Sequence, residues 1–281
     1  MKKKLLLMAC LFLGLGITGC GKTNHYEDFK TALSKNYDSF EAKISANASV
    51  ESEGLSIDVN VPVILKMETT NDNSKMYIKL EKSTLIEEEM EMYMNLTNKI
   101  VNIYYSYLDN DEKTWVKMEQ NLEEALKNVD LTKYEEESKK YIDKYFTEDR
   151  VVYVGEEDNL KHYQFVINDS LLKEIAEELE EEFETTGIEL KVDIYLNKDN
   201  ELAKIKVDLI DVLSKVLELA GDEIDTDSFD PSMFKSLNFM IEFSNHNNVK
   251  VEIPEEIINN AKSLEDIEDD YDLDYDLDYE L

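Results

Sequence analysis

The chain has 281 residues, with 64 Asp or Glu against 30 Lys or Arg, and a formal net charge of −34. A surface this negative repels phosphate backbones and anionic headgroups, which excludes nucleic acid as a partner. With two cysteines and eight glycines, the chain has no disulfide framework and little material for the glycine-rich loops of phosphate or dinucleotide sites.

The first element is an export signal. Lys2, Lys3 and Lys4 form a charged start, and Leu5 to Ile17 is an apolar run of thirteen residues. That run falls short of the roughly 20 residues a bilayer-spanning helix needs and has the length of a signal-peptide core. It ends in Ile17-Thr18-Gly19-Cys20, which resembles the bacterial lipoprotein signal, the lipobox. The resemblance implies a diacylglycerol on Cys20, cleavage before it, and a protein held by lipid on the outer face of the cell membrane. Cys10 would leave with the signal and Cys20 would be consumed by the lipid. No thiol would then remain for a disulfide, a nucleophile or a metal. The expected divisions are 1–19 signal, 20–38 lipidated stem, 39–262 a single folded domain and 263–281 an acidic tail.

Beyond the stem the dominant period is two. Phe40, Ala42, Ile44, Ala46, Ala48 and Val50 alternate with polar residues, and Leu55 to Met67 repeats the pattern over a longer run. Met76, Ile78 and Leu80 form a third strand, and Met90, Met92, Met94 and Leu96 a fourth. Lys99 to Tyr107 and Thr114 to Met118 follow. Such alternation predicts antiparallel strands with one wet and one dry face. Asn71 to Ser74 and Asp109 to Glu112 have the composition of hairpin loops.

Helical periods then interrupt. Asn121 to Phe146 predicts two amphipathic helices broken near Asp130. After strands at Val151–Gly155 and His162–Ile167, Asp169 is placed to cap a helix carrying Leu171, Leu172, Ile175, Ala176, Leu179 and Phe183, with Gly187 past its end. Strands return at Ile188–Leu196 and Ala203–Val207, and Leu209–Ala220 reads as an apolar helix. An acidic loop to Pro231, a strand at Leu237–Phe243 and a last strand at Val249–Ile253 complete the list. About ten strands exceed what a flat open sheet tolerates. The expected class is α+β: a curved antiparallel half-barrel of about ten strands with helices on its concave face.

The pieces EMYM (91–94), WVKM (115–118) and NVKVEIPEEI (248–257) resemble an uncharacterised family of Gram-positive bacterial lipoproteins. More distantly, the order of elements over Tyr26 to Ala261 is similar to the LolA/LppX-like fold. That likeness implies an apolar cavity between sheet and helices and a carrier of acyl chains or lipoproteins in the cell envelope. It transfers no individual site residue.

Methionine is flexible and polarizable and suits surfaces that accept ligands of varying shape. Met67, Met76, Met90, Met92, Met94, Leu96 and Met118 are therefore the candidate lining of a hydrophobic cavity, against the plainer reading that they fill an ordinary core. Chemistry is sparse. His25, His162 and His246 have no helical partner and no HExxH pattern. Asp225 to Asp230 lacks the glycine and terminal glutamate of an EF-hand loop. The glutamates 87–89 and 180–182 offer no pair set apart from a solvated surface. No metal, cofactor or catalytic residue is expected, and the chain reads as non-catalytic. Leu264 to Leu281 carries ten acids and no base, a composition that favours a disordered solubilising tail. Two readings remain: a lipoprotein that holds a lipid or other hydrophobic ligand, or a surface lipoprotein that presents an interaction face and binds no small molecule. Its protein partner is unspecified.

Overall fold

A computed structural model describes residues 25–52, 55–70, 73–109, 112–123, 131–179, 187–220 and 233–264. The alternating segments become the strands β1 (Ser39–Ser52), β2 (Leu55–Thr69), β3 (Asn73–Leu80), β4 (Met90–Thr97), β5 (Ile100–Asp109) and β6 (Glu112–Asn121). After helix α2 (Leu131–Tyr145) come β7 (Val151–Glu157), β8 (Leu160–Asn168), α3 (Asp169–Leu179), β9 (Glu189–Leu196), β10 (Leu202–Asp208), α4 (Ile210–Ala220) and β11 (Phe234–Ser244). At two described two-residue connections the backbone takes positive φ at both positions: Asn98 and Lys99 at 51° and 66°, Asp158 and Asn159 at 53° and 63°. Those angles match the twist of a tight hairpin, and Asn and Asp tolerate them best.

Among the described residues twelve strands, the last being β12 (Lys262–Ser263), join one sheet in the order β12-β6-β5-β4-β3-β2-β1-β11-β10-β9-β8-β7. The sheet is open, with β7 at one edge and β12 at the other. Among the described residues every long pairing is antiparallel, and β12 lies parallel to its neighbour, β6. Twelve strands replace the expected ten or so.

Four departures from the sequence reading have physical reasons. Helix α1 (His25–Leu33) stands where a stem was expected. It forms because Phe29 and Ala32 fall on one face and are fully buried. Second, the α3 cap is Asn168, whose Oδ1 accepts from the Leu171 amide at 3.1 Å. Asp169 turns away and accepts from the Gly187 and Ile188 amides at 2.8 and 3.1 Å, tying the chain entering β9 to the start of α3. Third, Val249–Ile253 is extended but is no strand. The Val249 amide donates to Ser39 Oγ and the Val251 amide to Glu68 Oε2, both at 2.9 Å. Side chains rather than a backbone ladder hold this segment. It continues through the short helix α5 (Glu255–Asn260) to β12, a strap that starts on the face bearing Ser39 and Glu68 and ends at β6. Val251 and Ile257 of the strap are buried.

Fourth, among the described residues the helix-packed core lies against β7 to β11. Phe29 and Ala32 of α1, Tyr145 of α2 and Leu171 of α3 form one buried cluster with Val151, Tyr163, Phe165, Ile194 and Ile205 of β7 to β10. Aromatic rings interlock there, with Phe29 5.2 Å from Tyr163 and Phe146 4.4 Å from Phe165. Among the described residues this cluster reaches no further along the sheet than Phe243 of β11. The arm formed by β1 to β6 keeps its apolar face outside it. Cys20, the loop Asp225–Asp230, Glu180–Glu182, the turn residues Asn71, Asp72, Asn110 and Asp111, and the tail beyond Leu264 lie outside the described residues.

Candidate functional site

Side chains alternate along a strand, so register decides which residues meet on one face. Met94 stands opposite Met76, Met76 opposite Met67, and Met67 opposite Phe40. On the other side Met94 stands opposite Ile103, and Ile103 opposite Met118. One row therefore runs Phe40–Met67–Met76–Met94–Ile103–Met118 across six strands. A second row runs Ala42–Leu65–Ile78–Met92–Tyr105–Val116. A third joins Ile44, Val63, Leu80 and Met90. Leu96 pairs with Val101 beside the first row. All seven residues expected from the sequence thus share one face. The sequence reading missed the interleaved Leu65, Ile78, Leu80, Ile103 and Tyr105, which carry as much of the surface; they follow from the same alternation once the registers are known.

Burial along this face is graded. Val116 and Val101 are buried; Met67, Met76, Met92, Met94 and Leu96 are half-buried; Met90 and Met118 are exposed. Strands lie about 4.8 Å apart, so a six-strand row is about 24 Å long. One leaflet's acyl layer is about 15 Å, half the hydrocarbon thickness of a bilayer. An extended alkyl chain fits along such a row with length to spare.

The reverse face is polar and pinned. Glu91 accepts from the Tyr77 hydroxyl at 2.6 Å and pairs with Lys113. Burial pushes the Glu91 carboxyl up, but these two hydrogen bonds outweigh it and hold the carboxyl below its usual range. Tyr77, Tyr93 and Trp115 pack in series as tilted rings, their centres 4.8 and 5.7 Å apart. An aromatic ladder of this kind stiffens the sheet behind the methionines.

A second polar group sits on β8 to β10. His162 Nε2 is 2.8 Å from Asp193 Oδ1 and its Nδ1 3.8 Å from Glu157 Oε2, while its ring stacks on Tyr195 at 4.5 Å. Lys204 lies 4.0 Å from the centre of the Tyr195 ring, on which burial and Glu157 push the phenol up to about 12. Asp193 Oδ1 also accepts from Gln164 Nε2 at 3.1 Å, and the Tyr195 hydroxyl donates to Glu157 at 3.2 Å, so the group forms a folded polar layer. His25 stacks on Tyr153 at 3.7 Å, and His246 packs on Tyr37 at 4.3 Å. Two open polar clefts, of about 530 and 630 Å³, border Asp193 and Glu68 respectively. Among the described residues no group of three His, Cys, Asp or Glu side chains is placed to hold a metal. No described helix is long and apolar enough to cross a membrane.

Neither a protein-family model nor a curated protein matches the chain. Among solved structures it is similar to a DUF1329 family protein from Desulfovibrio piger, at 10% identity and a TM-score of 0.24 over 82% of this chain and 94% of that one. It is also similar to a LolA superfamily protein from Nitrosomonas europaea, at 9% identity and a TM-score of 0.21 over 85% and 97%. Overlays this loose carry no argument about ligand or activity. The residues themselves must carry it.

Proposed function

We propose that this protein is a non-catalytic lipoprotein, anchored outside the cell membrane by a diacylglycerol on Cys20, that holds a lipid or other hydrophobic molecule against the methionine face of its sheet. The observation that supports the reading is the set of parallel apolar rows across β1 to β6, buried at Phe40, Ala42 and Val116 and half-buried along Met67, Met76, Met92 and Met94. A surface with three adjacent methionine positions on one strand adapts its shape at low cost. Its area lies next to the helix-covered core, which keeps the sheet ordered while the rows stay accessible. Dual acylation at Cys20 would give stable attachment, where a single chain binds marginally.

Native mass spectrometry of the protein extracted from its own membrane tests both parts. A lipid-sized mass retained by the wild type and lost on Met94→Glu is the expected result. Incorporation of labelled fatty acid should vanish on Cys20→Ala. A ligand-free wild type that also fails to take up an uncharged fluorescent hydrophobic probe would leave the alternative of a ligand-free interaction module. Persistent labelling of Cys20→Ala would remove the anchor.

A further inference from the structure

The apolar rows have one open end. The hairpin of β1 and β2 outruns its neighbour: β3 pairs with β2 only from Val63 onward, so β2 from Leu55 to Pro62 projects past it. The β3–β4 loop fills the vacated edge, where Thr84 Oγ1 donates to the Asp58 carbonyl at 3.2 Å and the Glu81 amide to the Pro62 carbonyl at 3.1 Å. At this end four large apolar side chains face water: Leu55 at 71% exposure, Leu85 at 65%, Ile57 at 53% and Met90 at 50%. Register places Leu55, Ile57 and Met90 on the methionine face, since Ile57 opposes Val50 and Met90 opposes Leu80. Moving inward along either strand, exposure drops to half-buried at Val59 and at Met92. The surface is therefore a stripe that begins in solvent and leads onto the rows.

Charge at that end is one-sided. Glu51 is met by Lys235 at 3.5 Å and Glu89 by Lys79 at 2.8 Å. The exposed loop that leads into Met90 carries Glu87 and Glu88 beside the methionine face, with Lys82 the lysine of the same loop, while Asp58 falls on the reverse face of β2. A low-dielectric apolar floor with such a rim concentrates cations and repels anions.

Resting on the ligand-holding role proposed above, we infer that the Leu55–Ile57–Leu85–Met90 end is the mouth of the site and that it selects a cationic amphiphile: an alkyl chain laid along the methionine rows with an ammonium head at Glu87 and Glu88. The apolar chain supplies the affinity and the rim supplies the sign of the head. An anionic chain of equal length meets the same rows but a repelling rim.

Calorimetric titration of the full chain with three probes of one chain length reads this out: dodecyltrimethylammonium, dodecylphosphocholine and dodecanoate, each below its micellar concentration. The ammonium should bind about tenfold tighter than dodecanoate in low salt, a preference that salt compresses as it screens the rim. Tetramethylammonium alone should not compete. Glu87→Gln with Glu88→Gln should cancel the preference, and Glu87→Lys with Glu88→Lys should reverse it; both pairs lie in an exposed loop and leave the melt unchanged. Met90→Glu should weaken the phosphocholine and dodecanoate probes. Equal affinity for all three probes, or a preference untouched by the loop substitutions, overturns the headgroup assignment while the hydrophobic site stands. Absence of binding by every probe overturns both.

Discussion

Met94 of β4 lies directly opposite Met76 of β3, and the two share a face with Met67 and Met118 across five strands. Two thioethers side by side form a surface that yields to whatever lies on it. Close-packed cores instead favour branched side chains with few rotamers. Because Met94 is half-buried, a charge placed there can reach water.

Met94→Glu should therefore cost under about 2 kcal/mol in a urea titration, well short of the several kcal/mol of a sealed unpaired charge. Uptake of a hydrophobic fluorophore should fall steeply. Met94→Leu, which nearly conserves volume, should keep both within about 1.5 kcal/mol of wild type. Collapse of the fold on Met94→Glu would mean that the rows are core.

Phe29→Ala should destabilise by about 3–5 kcal/mol, the usual cost of deleting a fully buried ring. Phe29 has no exposed surface and touches Tyr163 and Phe146. Guanidinium unfolding followed by far-UV circular dichroism measures it. A loss below about 1 kcal/mol would detach α1 from the core cluster.

Asn168→Ala should cost about 1 kcal/mol through the lost cap of α3. Asp169→Ala should act elsewhere. Hydrogen exchange should speed up at the Gly187 and Ile188 amides, because their acceptor is gone, with the helix amides less affected. Identical exchange patterns for the two variants would refute separate roles.

His246 contributes to the acid limb of stability, and so does Glu91, alongside Glu178 and Asp149, whose carboxyls are also held below their usual range. Burial lowers the His246 pKa from its ordinary 6.5, with Lys35 lowering it further and Glu201 opposing. The folded state thus holds the proton less well than the unfolded chain, and stability declines as pH falls below about 6.5 until the folded group titrates too. Glu91, held below its ordinary 4.5, contributes stability that is present above that value and lost as pH falls through its folded pKa. Urea midpoints from pH 7.5 to 3.5 should therefore drop in two stages. His246→Gln should flatten the first and leave the second. A first stage unchanged by His246→Gln would move its origin to another group.

The period of two made most of this sheet legible: alternation at Phe40–Val50 or Met90–Leu96 has one physical meaning when one face must stay dry. What alternation cannot reveal is which strands become neighbours. That β1 pairs with both β2 and β11 depends on contacts between distant segments. Val249–Ile253 shows the limit of the pattern. Its alternating residues do bury one side, but Glu68 and Ser39 supply the acceptors, so burial periodicity appears without a ladder. Helix α1 was hidden for the opposite reason. Nine residues carry too little periodicity, and its stability comes from Tyr163 and Phe146 far along the chain. Alternation was enough to put the methionines on one face, whereas the interleaved Ile103 and Tyr105 and the open end needed the registers. Leu85 sits in a loop without periodicity, and the unequal lengths of β2 and β3 let that loop reach the Asp58 carbonyl through Thr84.

The strand order also dictates a schedule for folding. One arm is built from β6 to β1 and the other from β11 to β7, and the joint between them is the pairing of β1 with β11, where Ala46 meets Phe239. The ribosome delivers these partners about 190 residues apart, roughly 10–40 s at typical elongation rates. During that interval β1 is a bare edge of 14 residues, next to an arm whose dry side has no neighbour. Bare edges and exposed apolar faces are what aggregate. Assembly is thus a race between the arrival of β11 and edge-to-edge association. The short, non-local closure step should make refolding slow and concentration-sensitive even where the finished sheet is stable.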